Sequence, residues 1–370
     1  MDSRERMKKI LLEKNSADRI PWSFDFGATQ GFNPTLLSRY KAKKGIKKLI
    51  YEHFDYDVIA IPYPESKGTQ ELNGGIKFIT TIKDPSIYYN EIPDRAEFDA
   101  WGILYYQWPT DPTFKNFKSP LALMDDPEEI EAYPEPRLSE ESILEVSCWA
   151  EMIRNMGKMT ACYAGSIYEW SWWLRGHSKF MTDLILAPVT AQTVVEKVKK
   201  FTKKLALTSQ EAGADILAFY DDAGTQSSLQ IGPELWRKFI KPAWKDIISE
   251  IKKRNPDTIT FLHSCGNISS IIPDIIEVGF DVLHPLQPET MDLDSIVSSY
   301  AGEIAFWGTV SNQRTMPFGT CEEVRAEVKE RMLNIGKYGG FILSPSNILG
   351  PEVPIKNIDA FVEEASRWSH

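Results

Sequence analysis

A histidine and a cysteine two residues apart, in FLHSCGNISS (261–270), stand out as the side chains of this 370-residue sequence most suited to chemistry. His263 and Cys265 close an apolar run that reads as a strand, and strand side chains two apart share a face. An imidazole and a thiolate on one face are the nitrogen and sulfur donors that Zn²⁺ takes in tetrahedral geometry, whereas magnesium and calcium prefer oxygen. A catalytic zinc site also needs a third protein ligand and an open position. Asp222, Glu169, Cys162 and Gln287 are the candidates, in that order, because a carboxylate binds zinc and an amide oxygen binds it weakly. Without a metal, the same pair reads as a hydrogen-bonded histidine and a buried thiol.

Other polar residues stand at the ends of apolar runs: Asp25, Tyr63, Tyr163, Asp221, His284, Gln287, Trp307, Gln313 and Asn347. Asp221 and Asp222 follow ILAFY, and adjacent strand residues point to opposite faces, so at most one of the two carboxylates faces a site. That one is suited to accept hydrogen bonds from substrate, act as a general base or reach the metal; the other is expected to anchor a loop. In IYEWSWWLRGH (167–177), Glu169 and Arg175 lie among Trp170, Trp172 and Trp173. The three indoles suit either a stacking wall over a planar ligand or plain packing, with Glu169 and Arg175 as a structural pair. Cys148 and Cys321 carry no functional signal.

Eight short apolar runs must position these residues: 20–26, 57–63, 159–165, 215–222, 258–264, 281–287, 303–309 and 340–346. They lack in/out alternation, as strands buried on both faces do. Helical segments at 190–211, 233–254, 268–278 and 321–337 separate them, which predicts a parallel α/β fold. Eight such units close a TIM (β/α)8 barrel, whose chemistry sits at the C-terminal ends of its strands. All the residues singled out above are therefore expected at one mouth. The doubly wound alternative would want a Gly-rich first turn, and FDFGATQGFNP has no G-x-G-x-x-G. One domain over 1–370 is predicted, with an insertion at about 66–135 between the second and third strands. Within it, 69–84 reads as a β-hairpin turning at Asn73-Gly74, and 98–120 as a non-periodic aromatic loop, either a lid or a flap packed on the rim.

A hydrophobic content of 42% supports a large core, and a formal charge of −10 argues against nucleic acid and anionic membranes as partners. The basic cluster at 39–48 reads as a solvated helix face. Four dispersed cysteines suit a reducing cytoplasm rather than a disulfide framework. The charged start, MDSRERMKKILLEKN, reads as an amphipathic helix rather than a signal peptide, and no run approaches the ~20 apolar residues of a membrane span. A cytoplasmic protein is expected.

The stretches YDDAGTQSSLQIGPELWRKFIKPAWKDIISEIK (220–252), FLHSCGNISSIIPDIIEVGFDVLHPLQP (261–288), AFWGTVSNQRTMPFGTCEEV (305–324) and GGFILSPSN (339–347) together resemble the uroporphyrinogen decarboxylase superfamily. The nearest likeness is to its branch of cobalamin-dependent methyltransferases. The resemblance is strong from about 159 onward and weak over 20–158. It implies a TIM barrel and, from the methyltransferase branch, zinc held by a His-x-Cys pair, here His263 and Cys265, and by a distant cysteine. Asn347 stands at that distant position. It further implies a small-molecule methyl donor or acceptor and a corrinoid on a partner protein, since no cobalamin-binding domain is visible. Tyr63, Tyr163, Glu169, Trp173, Gln287, Trp307 and Asn347 are then expected to contact substrate, with Asp222, His263 and Cys265 carrying the chemistry. The family's other chemistry, porphyrinogen decarboxylation, uses an arginine-rich N-terminal segment and an aspartate ending the second strand. RIPWSFDFGATQGFNP lacks that cluster, and the strand ends at Ile61-Pro62-Tyr63. The alternative reading is a metal-free barrel that binds a tetrapyrrole or other small molecule, or that works as a decarboxylase-type lyase.

Overall fold

The computed structural model of the chain describes residues 1–24, 31–61, 75–108 and 111–368. Seven strands form one sheet: β1 (Val58–Ala60), β2 (Met159–Gly165), β3 (Ile216–Tyr220), β4 (Ile259–His263), β5 (Val282–His284), β6 (Ala305–Trp307) and β7 (Phe341–Ile342). Every neighbouring pair is parallel and in chain order. Among its described residues, the first of the eight predicted runs contributes a single parallel bridge, Trp22 to Leu343, flanked by Leu343 N–H to Pro21 O and Ser23 N–H to Leu343 O, both at 3.0 Å.

The sheet curls on itself. Val58 and Ala60, Met159 and Ala161, Ile216 and Ala218, Ile259 and Phe261, Val282, Ala305 and Trp307, and Ile342 form one buried cluster, so all seven strands meet on one face. That face is the interior of a TIM barrel. The intervening residues Ile59, Cys162, Ala164, Leu217, Phe219, Leu262, Leu283, Phe306 and Phe341 belong to a second cluster under the surrounding helices. Alternation is thus present in space but hidden in the sequence, because both faces are apolar.

Helix α1 (Ser3–Leu11) closes the lower end of the barrel with Met7, Ile10 and Leu11, which follow the i, i+3, i+4 spacing of one helical face. An Asp2–Glu5 capping box starts it. Arg4 pairs with Asp215 and Arg6 with Asp57, each at 2.6 Å, and both aspartates immediately precede strands. These barrel-bottom ion pairs fix the closing helix and leave the opposite end free for chemistry.

The outer layer includes α2 (Glu140–Asn155), α3 (Tyr168–Arg175), α4 (Pro188–Glu211), α5 (Lys241–Arg254), α6 (Ile272–Val278) and α7 (Cys321–Asn334). The basic cluster falls in the helix Pro34–Lys44 and the turn after it. Between β1 and β2 the structure corrects one expectation. The hairpin turn expected at Asn73-Gly74 lies outside the described residues; among those described, Phe78–Ile79 pairs antiparallel with Arg137–Leu138. The stretch read as a non-periodic loop forms a three-stranded antiparallel sheet, Glu97–Phe98, Leu104–Trp108 and Asp111–Lys118. Its aromatic residues favour strands.

Candidate metal centre

Three strand ends build the centre. β3 runs out into Asp221-Asp222, β4 into Ser264-Cys265, and β5 ends at His284. The ladder continues past the strands, with Asp221 N–H donating to His263 O and Ser264 N–H to His284 O, both at 2.8 Å. His263 follows Ile259 and Phe261 at every second position, so its ring faces the interior and looks out of the mouth.

The two loops beyond β3 and β4 then touch backbone to backbone. A Cβ at Gly224 would fall 2.6 Å from Cys265 O, and one at Gly266 would fall 2.6 Å from the Gly224 carbonyl carbon. Gly266 also has φ +86°, a conformation that favours glycine. Asn267 N–H donates to Thr225 O at 2.7 Å, Ala223 N–H to Ser264 Oγ at 3.0 Å, and Gly266 N–H to Gln287 Oε1 at 3.0 Å.

This docking gathers Asp222, His263 and Cys265, whose ligand atoms lie within 4.8 Å of one another. Cys265 Sγ is 3.3 Å from His263 Nε2, and His263 Nε2 is 3.5 Å from Asp222 Oδ1. Ligands around a tetrahedral zinc with bonds of about 2.0–2.3 Å stand about 3.3–3.8 Å apart, so these separations suit a shared ion. One carboxylate and one thiolate would balance Zn²⁺, with a neutral imidazole as the third donor. The donor set and its spacing fit the metal. Asp222 Oδ1 also accepts from Cys265 N–H at 2.7 Å, which fixes the carboxylate beside the thiol. Asn347 Nδ2 donates to Cys265 Sγ at 3.3 Å while its Oδ1 accepts from Ile348 N–H at 2.7 Å.

The ring of Tyr220 stacks on His263 at 4.6 Å, and His263 Nδ1 faces His284 Nδ1 at 2.8 Å. His284 is fully buried, and burial, followed by the nearby His263, holds its pKa well below the ordinary histidine value. Tyr163 lies beside Tyr220, 5.8 Å between ring centroids. Glu169 is pushed well above the usual carboxyl range, first by burial and then by the charges of Asp222 and Asp221.

The adjacent aspartates divide their roles. Asp221 is buried and accepts from Ser166 Oγ at 2.6 Å, Glu169 N–H at 2.9 Å, Ile167 N–H at 3.2 Å and Trp244 Nε1 at 3.1 Å. It anchors the start of α3, and Asp222 faces the site.

The remaining candidates spread out. Trp307 lies in the barrel interior, edge-on to Phe261 at 5.6 Å. Cys162 points outward into the helical layer, and burial pushes its thiol up to about 11. Trp170 packs on Phe201 and Trp101 in the outer core, while Trp172 and Trp173 are half-buried neighbours on α3. Arg175 pairs with Asp183 at 2.6 Å and with the carbonyls of Leu121 and Met124 rather than with Glu169. Gln313 is exposed, and its backbone N–H donates to Glu289 at 3.3 Å. Asp25 and Tyr63 lie outside the described residues. Sequence reasoning missed Tyr220 and the direct pairing of the two histidines. The signal was there, since β4 ends Phe-Leu-His and β5 ends Val-Leu-His, and their register pairs His263 with His284.

A parallel barrel with its polar cluster at the strand C-termini defines the structural class. The chain belongs to the uroporphyrinogen decarboxylase (URO-D) family, whose model matches residues 125–368. It is 22% identical over 200 residues to the methylcobamide:CoM methyltransferase MtaA of Methanosarcina barkeri, covering 51% of this chain and 55% of the relative. It is 24% identical over 181 residues to a uroporphyrinogen decarboxylase of Chlorobium phaeobacteroides, covering 48% of each. The chain thus spans about half the length of the curated relatives it matches. Over the whole of both chains its fold matches the solved structure of a methyltransferase from Methanosarcina mazei, with a TM-score of 0.67 and 18% identity. Among the described residues no helix is long and apolar enough to cross a membrane.

Proposed function

We propose that the protein is a zinc-dependent methyltransferase that moves a methyl group between a small molecule and a corrinoid carried by a partner protein in the cytoplasm. The observation that carries this reading is the convergence of Asp222, His263 and Cys265 at the barrel mouth, with ligand atoms within 4.8 Å. The similarity to a methylcobamide:CoM methyltransferase supports the reaction class and the corrinoid.

Zinc bound there would lower the pKa of a coordinated thiol or water and so supply a nucleophile at neutral pH. The chain's own residues prepare the place. Asp222, fixed by the Cys265 N–H, keeps a carboxylate oxygen toward His263 Nε2. Asn347 donates to the Cys265 sulfur and so holds it in place at the mouth. Tyr220, stacked on His263, forms an apolar wall on one side of that ring and helps exclude water. Tyr163, Glu169 and Gln287 border the same strand ends and are proposed to orient the substrate, together with Trp173, Trp307 and Tyr63.

Elemental analysis with methyl transfer from methylcobalamin to a thiol tests the reading. About one zinc per chain is expected, and Cys265→Ser and His263→Ala should each remove the metal and the activity, the double variant being little worse. If Cys265→Ser keeps both, the zinc reading fails. The similarity to decarboxylases favours a second reading as a metal-free lyase. Four acetate groups need several guanidinium or backbone donors, which the N-terminal stretch does not supply. No carbon dioxide release from uroporphyrinogen is therefore expected, and release above background would favour the lyase.

A further inference from the structure

We infer that His284 is a positioning residue that holds His263 in the tautomer able to ligate a metal through Nε2. The inference deepens the zinc reading and rests on it. The parallel register of β4 and β5 sets His263 opposite His284, and both rings face the barrel interior. Their Nδ1 atoms are 2.8 Å apart, so one must donate a hydrogen and the other accept it.

The far side of His263 decides which. Its Nε2 lies 3.3 Å from Cys265 Sγ and 3.5 Å from Asp222 Oδ1, and a nitrogen that ligates must present a lone pair. The hydrogen of His263 is then on Nδ1 and is donated to His284 Nδ1. Neutral His284 consequently carries its own hydrogen on Nε2. That atom is fully buried and, among the described residues, has no hydrogen-bond partner.

The ring of His284 has little freedom to do otherwise. Phe261 stacks on it at 5.2 Å with 29° between planes. Gly308 presses against its edge so closely that a Cβ there would lie 2.6 Å from Nε2 and Cδ2. An unpartnered buried N–H is costly, and a site formed only for packing would hold an apolar side chain here. The arrangement gives His263 a fixed acceptor, as the outer partner of a metal-bound histidine does.

Zinc affinity, measured by competition with a chelator at fixed pH, tests this on the full chain. His284→Leu removes the acceptor and should weaken zinc about 10- to 100-fold, the range for loss of an outer-shell partner. His284→Asn can place its carbonyl oxygen near the Nδ1 position and should stay within about threefold of the parent, an estimate from its retained acceptor. Long-range ¹H–¹⁵N spectra of the zinc-loaded parent should show His263 protonated at Nδ1, a readout that needs no variant to fold. Equal zinc affinity in parent and His284→Leu, or ligation of His263 through Nδ1, overturns the assignment of His284 while leaving the zinc reading in place. A parent chain that takes up no zinc overturns both.

Discussion

Gly224 and Gly266 bring two loops together with no side chain between them. A Cβ on Gly224 would lie 2.6 Å from Cys265 O and 2.7 Å from the Gly266 carbonyl carbon. Both neighbours are backbone, so neither can swing aside. Gly224→Ala should therefore separate the Asp222 loop from the Cys265 loop. The expected cost is about 1–3 kcal/mol, typical of overpacking, with a loss of zinc affinity of at least about tenfold. Urea unfolding and chelator competition measure the two effects, and an Ala variant with unchanged zinc affinity would show that the loops tolerate separation.

The neighbouring carboxylates should fail in opposite ways. Asp221→Ala strands a hydroxyl, two backbone N–H groups and an indole N–H that now share one buried carboxylate. A loss of about 3 kcal/mol or more is expected, because each orphaned donor keeps its desolvation cost. Asp222→Asn keeps an oxygen for the Cys265 N–H and should change stability by less than about 1 kcal/mol, yet weaken zinc clearly. Denaturant titration and zinc content, measured on both variants, separate the roles; a destabilised Asp222→Asn with full zinc would reverse them.

Asn347 already reaches the thiol, with its Nδ2 3.3 Å from Cys265 Sγ. Asn347→Cys puts a second thiolate beside the first, and thiolates bind zinc more strongly than amide groups. Zinc affinity should rise by about tenfold or more, and the cobalt-substituted variant should gain intensity in its sulfur-to-metal charge-transfer band. An unchanged cobalt spectrum would place residue 347 out of reach of the metal.

Asp99 gives a pH dependence away from the site. Burial pushes its carboxyl up to about 6, although the N–H groups of Ile103 and Trp101 both donate to it at 2.9 Å and oppose the rise. Its folded pKa is therefore above its ordinary value of about 3.9, and the folded chain binds the extra proton between about pH 4 and 6. The stability this proton confers is complete near pH 4 and lost as the pH rises through about 6. Asp99→Asn keeps the two N–H bonds and removes the titration. Hydrogen exchange in Leu104–Trp108 should then show the parent gaining protection relative to the variant as pH falls from 7 to 4.5, and parallel pH profiles would contradict the assignment.

The sequence by itself determined the architecture and the zinc-like pair. Apolar runs separated by helical periods can close in few ways, so the order of the parallel strands was legible without any contact being known. His263 and Cys265 were legible because a two-residue spacing is local geometry. The antiparallel sheet at 97–118 was not, since its short strands are defined by partners rather than by period. Asp222 was named ahead of Asp221, but the contacts that separate the two, from Ser166 and Trp244 to Asp221, come only from the fold. Only the tertiary structure decided that Asp222 joins His263, because the link is a glycine contact between residues 224 and 266, 42 positions apart in the chain. Strand register likewise set His284 behind His263. Local spacing can name a candidate pair, but the carboxylate beside it and the histidine behind it come from strands whose alignment is fixed only when the barrel closes.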